Sequence, residues 1–302
     1  MKKEGIVMKI FRCVSPMIYY NIISMVVSIP FVVIALVRII LEISQGGASE
    51  ELAMENYMSF IMGKGVLMTG IVALISIPIF MFMMKRDYKR IIAWSDIKNI
   101  KCIRFILVIA IVIVAFTYCV AGNNLIVVTN LVEIFPSYQD TSMIFETASL
   151  ASQLLFLGII VPIAEELMFR GLIFKRIREY TKPTVAIWVS GIIFGAFHMN
   201  FVQFLYAGLM GVIMALVYEK TRSIMWPILI HIIANLSSLF VVGSETYMNF
   251  CTKSAITMIA VTSAATIIVI LCSILFVNIK PIAGEINREI LEPSEKVDSD
   301  TF

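Results

Sequence analysis

The stretch Val161-Pro-Ile-Ala-Glu-Glu-Leu-Met-Phe-Arg-Gly171 decides how the fold of this chain is read. It places two adjacent carboxylates, Glu165 and Glu166, and then Arg170 at the end of a long apolar run. A carboxylate in the hydrocarbon of a membrane is costly, and such residues usually face a bundle interior or a water-filled cavity and mark a functional position. The stretch therefore predicts a polar site inside an otherwise apolar protein.

The composition of the 302-residue chain is that of a polytopic membrane protein. Hydrophobic residues make up 60% of it and charged residues 15%, with a mean hydropathy of +0.93. Soluble domains carry about 25% charged residues. The net charge of +3 is small and its basic residues lie in short segments between apolar runs, so we expect no nucleic-acid partner. The five cysteines are scattered without a C-x-x-C pair, which predicts neither a disulfide framework nor a thiolate metal site.

The apolar runs predict the fold class. A membrane-spanning helix needs about 20 mainly apolar residues. By this criterion the sequence predicts an all-α, polytopic membrane protein of about eight transmembrane helices. The expected spans lie near 17–41, 65–84, 103–121, 145–168, 184–201, 203–218, 224–242 and 255–278.

Positive charge alternates from one connection to the next, and this alternation predicts the orientation in the membrane. Lys and Arg are frequent before the first span, within 85–104, within 170–182 and at 220–222. The connection at 42–64 carries mainly acidic residues, and 122–146 contains no Lys or Arg. Because basic residues concentrate on the cytoplasmic side, we expect a multi-pass protein of the cell membrane with both termini in the cytoplasm.

Helical geometry gives the two glutamates different surroundings. Glu166 and Arg170 are four residues apart, so they share a helix face and can form an ion pair. Glu165 lies about 100° around the helix from Glu166, which leaves it free to face a cavity. Pro162 leaves a backbone carbonyl without its usual donor and favours a kink. The alternative is that both acids are charges at the membrane boundary, but two adjacent acids exceed what a boundary requires.

Both histidines of the chain lie in apolar segments after this pair. His198 follows Phe194 by one helical turn, beside a G-x-x-x-G pattern that allows close helix packing. His231 and Asn235 share one face of a later span, where two donors could stabilise an oxyanion. Ala207 begins a second small-xxx-small pattern in the next span. Each of these polar residues also has a structural interpretation, as a hydrogen-bonding contact between helices.

Taken together, these residues are the parts of a hydrolase that attacks a carbonyl group. One carboxylate can act as a general base, one histidine can position water, and a donor pair can hold the oxyanion. Alternatively, two histidines and a glutamate can bind Zn²⁺ and leave a coordination position for water. The H-E-x-x-H pattern of the common zinc proteases does not occur in the chain.

Three motifs in this order resemble the CPBP intramembrane protease family, also called the CAAX protease and bacteriocin-processing or Abi family, which includes the Rce1-like prenyl-protein endoproteases. The similarity covers roughly 145–242, the expected catalytic core, whereas 1–144 (N-terminal transmembrane helices and loops) and 243–302 (last helix and polar cytoplasmic tail) match only in general character. The matching motifs are E-E-x-x-x-R at Glu165, Glu166 and Arg170, F-x-x-x-H at Phe194 and His198, and H-x-x-x-N at His231 and Asn235.

The resemblance implies a membrane-embedded endopeptidase that acts on a membrane-associated peptide or protein within the lipid bilayer. It implies that Glu165 is the base and His198 its partner. In the same scheme His231 and Asn235 hold the oxyanion, and the remaining motif residues, Glu166, Arg170 and Phe194, are supporting. We expect a glutamate-dependent reaction without a required cofactor; the metal alternative would use Zn²⁺ on Glu165, His198 and His231.

Two other functions stay open from the sequence. The chain could be a non-catalytic immunity or scaffold protein that keeps the pocket, or a carrier in which intramembrane Glu and His act as proton relays. No inverted repeat supports the carrier. The substrate is not encoded in any motif; the resemblance offers CaaX-type processing and processing of peptide signals or bacteriocins.

The position of His198 along its helix tests whether it can join Glu165, His231 and Asn235 in one site. It lies sixteen residues after Lys182, or about 24 Å along a helix, whereas the other site residues are expected nearer the cytoplasmic half. We therefore expect the fifth helix to begin well outside the membrane on the cytoplasmic side.

Overall fold

The computed structural model describes residues 5–44, 49–88, 105–135, 138, 147–242 and 244–279, and within them every regular element is helical. Two of the helices contain or continue into π-helical turns: α4 contains two such segments, and α7 continues into a third. The helices are α1 (Ile6–Ser44), α2 (Glu50–Tyr88), α3 (Phe105–Val128), α4 (Leu150–Arg178), α5 (Pro183–Phe197), α6 (Phe201–Thr221), α7 (Met225–Ser237), α8 (Glu245–Thr252) and α9 (Ala255–Asn278), with a helical turn at Leu131–Ile134.

The all-α polytopic fold is confirmed, but the number of spans is smaller than the sequence suggested. In the described ranges, six helices are long and apolar enough to cross a membrane, namely α1 to α4, α6 and α9. A seventh candidate combines α7 with α8, which are bent by 79° at a short break. Helix α5 has only 15 residues, about 22 Å, which is less than the ~30 Å hydrocarbon core.

Two helices extend well beyond the apolar runs that predicted them. Helices α1 and α2 each have 39 residues, or about 58 Å, so the acidic positions Glu50, Glu51 and Glu55 lie in a helix rather than in a loop. Hydropathy marks only the part of a helix that lies in hydrocarbon, whereas the helix itself continues through polar residues. The polar tail after 280 and the basic residues of 89–104 lie outside the described residues.

Charged side chains from several helices meet at one end of the bundle, here called the charged end. Arg12 of α1 donates to both carboxylate oxygens of Glu179, at 2.7 and 3.0 Å. Arg176 of α4 donates to Asp87 of α2 at 2.6 Å. The segments that loop charge assigned to one side of the membrane are therefore brought together, while the side itself stays a prediction. Two further contacts at this end join α4 to α6 and α6 to α9: Arg178 with Glu219 at 3.4 Å and Lys220 with the Val277 carbonyl at 2.7 Å.

Glycines let α5 and α6 pack with their backbones in contact. Gly191 and Gly195 of α5 face Gly208 and Gly211 of α6. A Cβ atom added to Gly195 would lie 2.5 Å from the Phe204 carbonyl oxygen and 2.9 Å from the Gly208 Cα. The close approach predicted from the G-x-x-x-G pattern is confirmed, with Gly208 as an additional partner.

Gly195→Ala is therefore expected to destabilise the protein. The added methyl group would meet backbone atoms, which cannot move as a flexible side chain can, so we expect the free energy of unfolding to fall by about 1–3 kcal/mol. Thermal and denaturant unfolding in detergent would measure this. The matched control is Gly63→Ala in α2, where a Cβ meets nothing within 4 Å and Ala stabilises the helix by about 0.5–1 kcal/mol. Equal effects of the two substitutions would contradict the packing account.

Candidate active site

The Glu166 carboxylate is at the centre of the site. Its side chain is fully buried, with 0% of its surface exposed. Its Oε1 atom accepts a hydrogen bond from Arg170 Nη1 at 2.8 Å and another from His231 Nδ1 at 3.0 Å. The ion pair predicted from the four-residue spacing is present, and α7 brings a histidine to the same oxygen.

Arg170 connects this carboxylate to the α5–α6 pair. Its Nη2 atom donates to the Gly211 carbonyl at 2.8 Å, and its guanidinium carbon lies 4.6 Å from the centre of the Phe194 ring. Cation–π contact and a backbone acceptor both stabilise a guanidinium that is removed from water. A Cβ at Gly211 would lie 3.2 Å from Arg170 Nη2, so the glycine makes room for the arginine. The Gly211 carbonyl was not predicted as a site group.

His231 lies between the two glutamates. Its Nδ1 faces Glu166, and its Nε2 lies 3.7 Å from Glu165 Oε2. Because Glu166 is an acceptor, the Nδ1 atom carries the proton, and Nε2 is the ring atom left to face Glu165 and a substrate. Among the described residues the two glutamates differ as the spacing suggested: Glu166 is held by Arg170 and His231, whereas Glu165 makes only the longer approach to His231.

His198 belongs to the surroundings of this cluster rather than to its centre. It directly follows α5, its Nδ1–H donates to the Phe194 carbonyl at 2.9 Å, and its ring centre lies 5.1 Å from that of Phe194. The Phe194 ring in turn lies 5.6 Å from the His231 ring. Phe201, three residues later, packs on Phe135 beyond α3, so the turn points away from the charged end. Helix α5 begins at Pro183, directly after Lys182, and ends at Phe197, directly before His198. That the start of α5 lies outside the membrane stays a prediction.

Asn235 is hydrogen-bonded to a backbone carbonyl that lacks its usual donor because of a proline. Val161 N–H donates to the Phe156 carbonyl, five residues back, in a π-helical turn. In that register the next carbonyl, Leu157, would need the N–H of Pro162, which proline lacks. Asn235 Nδ2 donates to Leu157 O at 2.8 Å instead. One of the two amide N–H groups of Asn235 is thus used to join α7 to α4, and the second is left for another acceptor.

The predicted zinc ligands do not come together in this arrangement. Among the described residues, no three side chains of His, Cys, Asp and Glu are placed to hold a metal ion. Glu165 and His231 approach each other, whereas His198 contacts the Phe194 ring. Zinc sites need three protein ligands about 2.0–2.3 Å from one ion, so the donor set does not fit Zn²⁺ here.

The buried ion pair gives a testable stability difference. Arg170→Met would leave the Glu166 carboxylate buried with only His231, which we expect to cost about 3–5 kcal/mol of unfolding free energy. Adding Glu166→Gln removes the unpaired charge and keeps an acceptor for His231, so the double variant should recover most of the loss. Denaturant unfolding in detergent measures both, with Arg38→Met on exposed α1 as control. A double variant no more stable than Arg170→Met would contradict the pairing.

Comparison with known proteins identifies relatives of this chain. A family model described as Type II CAAX prenyl endopeptidase Rce1-like matches residues 147–237, the segment that contains all seven predicted site residues. "Putative membrane peptidase YdiL" of Bacillus subtilis (strain 168) is 36% identical over 78 residues, which are 26% of this chain and 32% of YdiL.

A second relative covers more of both chains. "UPF0177 protein YxdF" of Lactococcus lactis subsp. lactis (strain IL1403) is 30% identical over 166 residues, 54% of this chain and 89% of YxdF. No solved structure matches the chain. From its helical fold, its three motifs and these similarities, the chain belongs to the Rce1-like, CAAX prenyl endopeptidase (CPBP) family of membrane proteins.

Proposed function

We propose that the chain is an intramembrane endopeptidase that hydrolyses a peptide bond of a membrane-associated peptide or protein. The observation that carries this proposal is the position of His231 between two adjacent carboxylates, one held by Arg170 and the other not. Such a cluster provides a proton acceptor and a fixed imidazole in a place shielded from bulk water. Burial strengthens the electrostatic interactions of such groups.

Glu165 is the general base in this proposal. Its carboxylate takes a proton from a water molecule as the water oxygen attacks the carbonyl carbon of the scissile bond. The electron pair of the carbonyl moves to oxygen, and Glu165 then delivers the proton to the leaving nitrogen as the C–N bond breaks. General acid–base catalysis of this kind contributes about 10²–10⁴-fold to a rate.

His231 has its orientation fixed for this reaction. With Nδ1–H donating to Glu166, the Nε2 atom donates a hydrogen bond to an oxyanion when the ring carries its second proton. The second amide N–H of Asn235 is the other donor assigned to the oxyanion. His198 is assigned to position water from the far side of Phe194. A modest rearrangement on substrate binding is consistent with these roles, since catalytic hydrogen bonds are often long before the substrate arrives.

The family and the location of the site support the substrate class that we propose. CaaX-type processing and processing of peptide signals or bacteriocins both present a peptide at the membrane. The site is built from α4 to α7, deep in the bundle, so the substrate must enter from the bilayer or along the charged end. We place this protein in the cell membrane, with both termini and the charged end on the cytoplasmic side.

Glu165→Gln is the substitution that tests the proposal. It keeps the shape of the side chain and removes the base, so we expect cleavage of a fluorogenic peptide library by detergent-purified protein to fall by at least about 100-fold. Glu55→Gln, on an exposed position of α2, is the matched control and should cleave as the wild type does. Unchanged cleavage in Glu165→Gln would contradict the assignment of the base.

Adding a chelator to the same assay separates the alternatives. Cleavage that survives the chelator supports the glutamate-dependent reaction, whereas loss that Zn²⁺ restores would favour the metal interpretation. A folded wild type that cleaves no peptide would favour the non-catalytic immunity or scaffold protein. In that case a cellular phenotype would persist in Glu165→Gln.

A further inference from the structure

Helix α1 contributes few residues to the interior of the protein. Only Ser15, Pro16, Tyr20 and Ala35 of its 39 residues are buried, and most of its large apolar side chains face outward. This helix lies outside the segment that the family model matches, 147–237. Three of the four buried residues lie within two turns of each other, near the charged end, so this part of α1 is where the helix meets the core.

A proline and an arginine fix the position of this part of α1. Pro16 has no N–H to give to the carbonyl four residues earlier, Arg12 O. Arg176 Nη1 of α4 donates to that carbonyl, and Ser15 Oγ donates to it at 3.1 Å. Because Arg176 also binds Asp87, the start of α1 is joined to both α2 and α4.

This attachment places Tyr20 against the aromatic wall of the site. The Tyr20 ring packs edge-on against Phe197, with ring centres 5.4 Å apart and an angle of 72°. Phe197 packs on Phe169 at 5.4 Å. Phe169 lies four residues after Glu165 on the same helix, so the two side chains share a face. Tyr20 therefore closes the side of the site at which Glu165 lies.

The Tyr20 hydroxyl is a donor without a protein acceptor in the described part of the chain. Only 8% of the residue is exposed, and none of the hydrogen bonds formed there uses its hydroxyl. It interacts electrostatically with Glu165 without a direct hydrogen bond between them. A buried phenol usually finds a hydrogen-bond partner, so this hydroxyl is available to a group that enters the site. The neighbouring Tyr19 is 49% exposed and faces away.

We infer that Tyr20 is a further catalytic residue, whose O–H donates a hydrogen bond to the carbonyl oxygen of the scissile peptide bond. This inference rests on the proposed function. As water adds to the carbonyl carbon and its proton passes to Glu165, the carbonyl electron pair moves to oxygen, and Tyr20 stabilises that charge while keeping its own proton. Such a donor is useful here because one N–H of Asn235 is already bonded to Leu157 O.

The test compares Tyr20→Phe with Tyr19→Phe in the fluorogenic peptide assay. Tyr20→Phe keeps the ring on Phe197 and removes only the hydroxyl. We expect kcat to fall by about 100-fold with KM changed less than about twofold, the pattern of an interaction made in the transition state. Tyr19→Phe should behave as the wild type. Unchanged kcat in Tyr20→Phe, or a rise in KM alone, would overturn the inference.

A second variant gives a readout that a structural role would not affect. Replacing Tyr20 by 3,5-difluorotyrosine leaves its shape nearly unchanged but makes the phenol lose its proton at lower pH. The alkaline limb of the kcat–pH profile should then move to lower pH, because the ionised phenol is no longer a donor. An unchanged profile would overturn the inference, and this variant replaces Tyr20→Phe if the latter does not fold.

The outcomes for this inference and for the proposed function are distinguishable. Cleavage that is lost in Glu165→Gln but retained in full in Tyr20→Phe would leave the endopeptidase in place and remove Tyr20 from its mechanism. A folded wild type that cleaves no peptide would contradict the proposed function and, with it, the role of Tyr20.

Discussion

The buried carboxylate of Glu166 is the constraint on which the rest of the structure depends. A charge removed from water is tolerated only when it is paired and hydrogen-bonded, so Arg170 and His231 must both reach one oxygen atom. That requirement fixes α7 against α4. It also fixes α6, because Arg170 needs the Gly211 carbonyl as its second acceptor, and the glycines of α5 and α6 allow this close approach. One buried charge thereby sets the relative positions of four helices.

The free-energy cost of leaving a buried backbone carbonyl without a donor explains how two prolines attach helices to each other. Pro16 exposes the Arg12 carbonyl, and Arg176 of another helix binds it. Pro162, in its π-helical context, exposes the Leu157 carbonyl, and Asn235 binds it. In a membrane, neighbouring side chains satisfy backbone groups that prolines release. Each proline thus leaves one helical hydrogen bond unmade, and the carbonyl it releases forms a contact with another helix.

Sequence patterns predict the interactions that depend on one helix or on a pair of adjacent helices. The Glu166–Arg170 pair, the exposed carbonyl near Pro162 and the close packing at Gly195 all follow from spacing along the chain. The contact of His231 with both glutamates could not be predicted, because it depends on how α7 packs across α4, 65 residues away in sequence. The described residues contain six or seven candidate spans where about eight were expected, for a related reason: hydropathy recognises apolar residues, but not that the helix at Pro183–Phe197 has only 15 residues.

Glu165 and Glu166 are adjacent in sequence but have different surroundings, because successive residues of a helix are separated by about 100°. Glu166 accepts hydrogen bonds from a guanidinium and an imidazole, so its Oε1 atom is occupied by two donors. Among the described residues, Glu165 has only the 3.7 Å approach of His231, which leaves its carboxylate available for the role of general base that we propose. Glu166 holds the His231 imidazole in place through Nδ1, and the Nε2 atom of the same ring faces Glu165. A carboxylate held by two donors and a carboxylate with a single longer contact therefore lie side by side in one helix, and the adjacent pair is more informative than either acid alone.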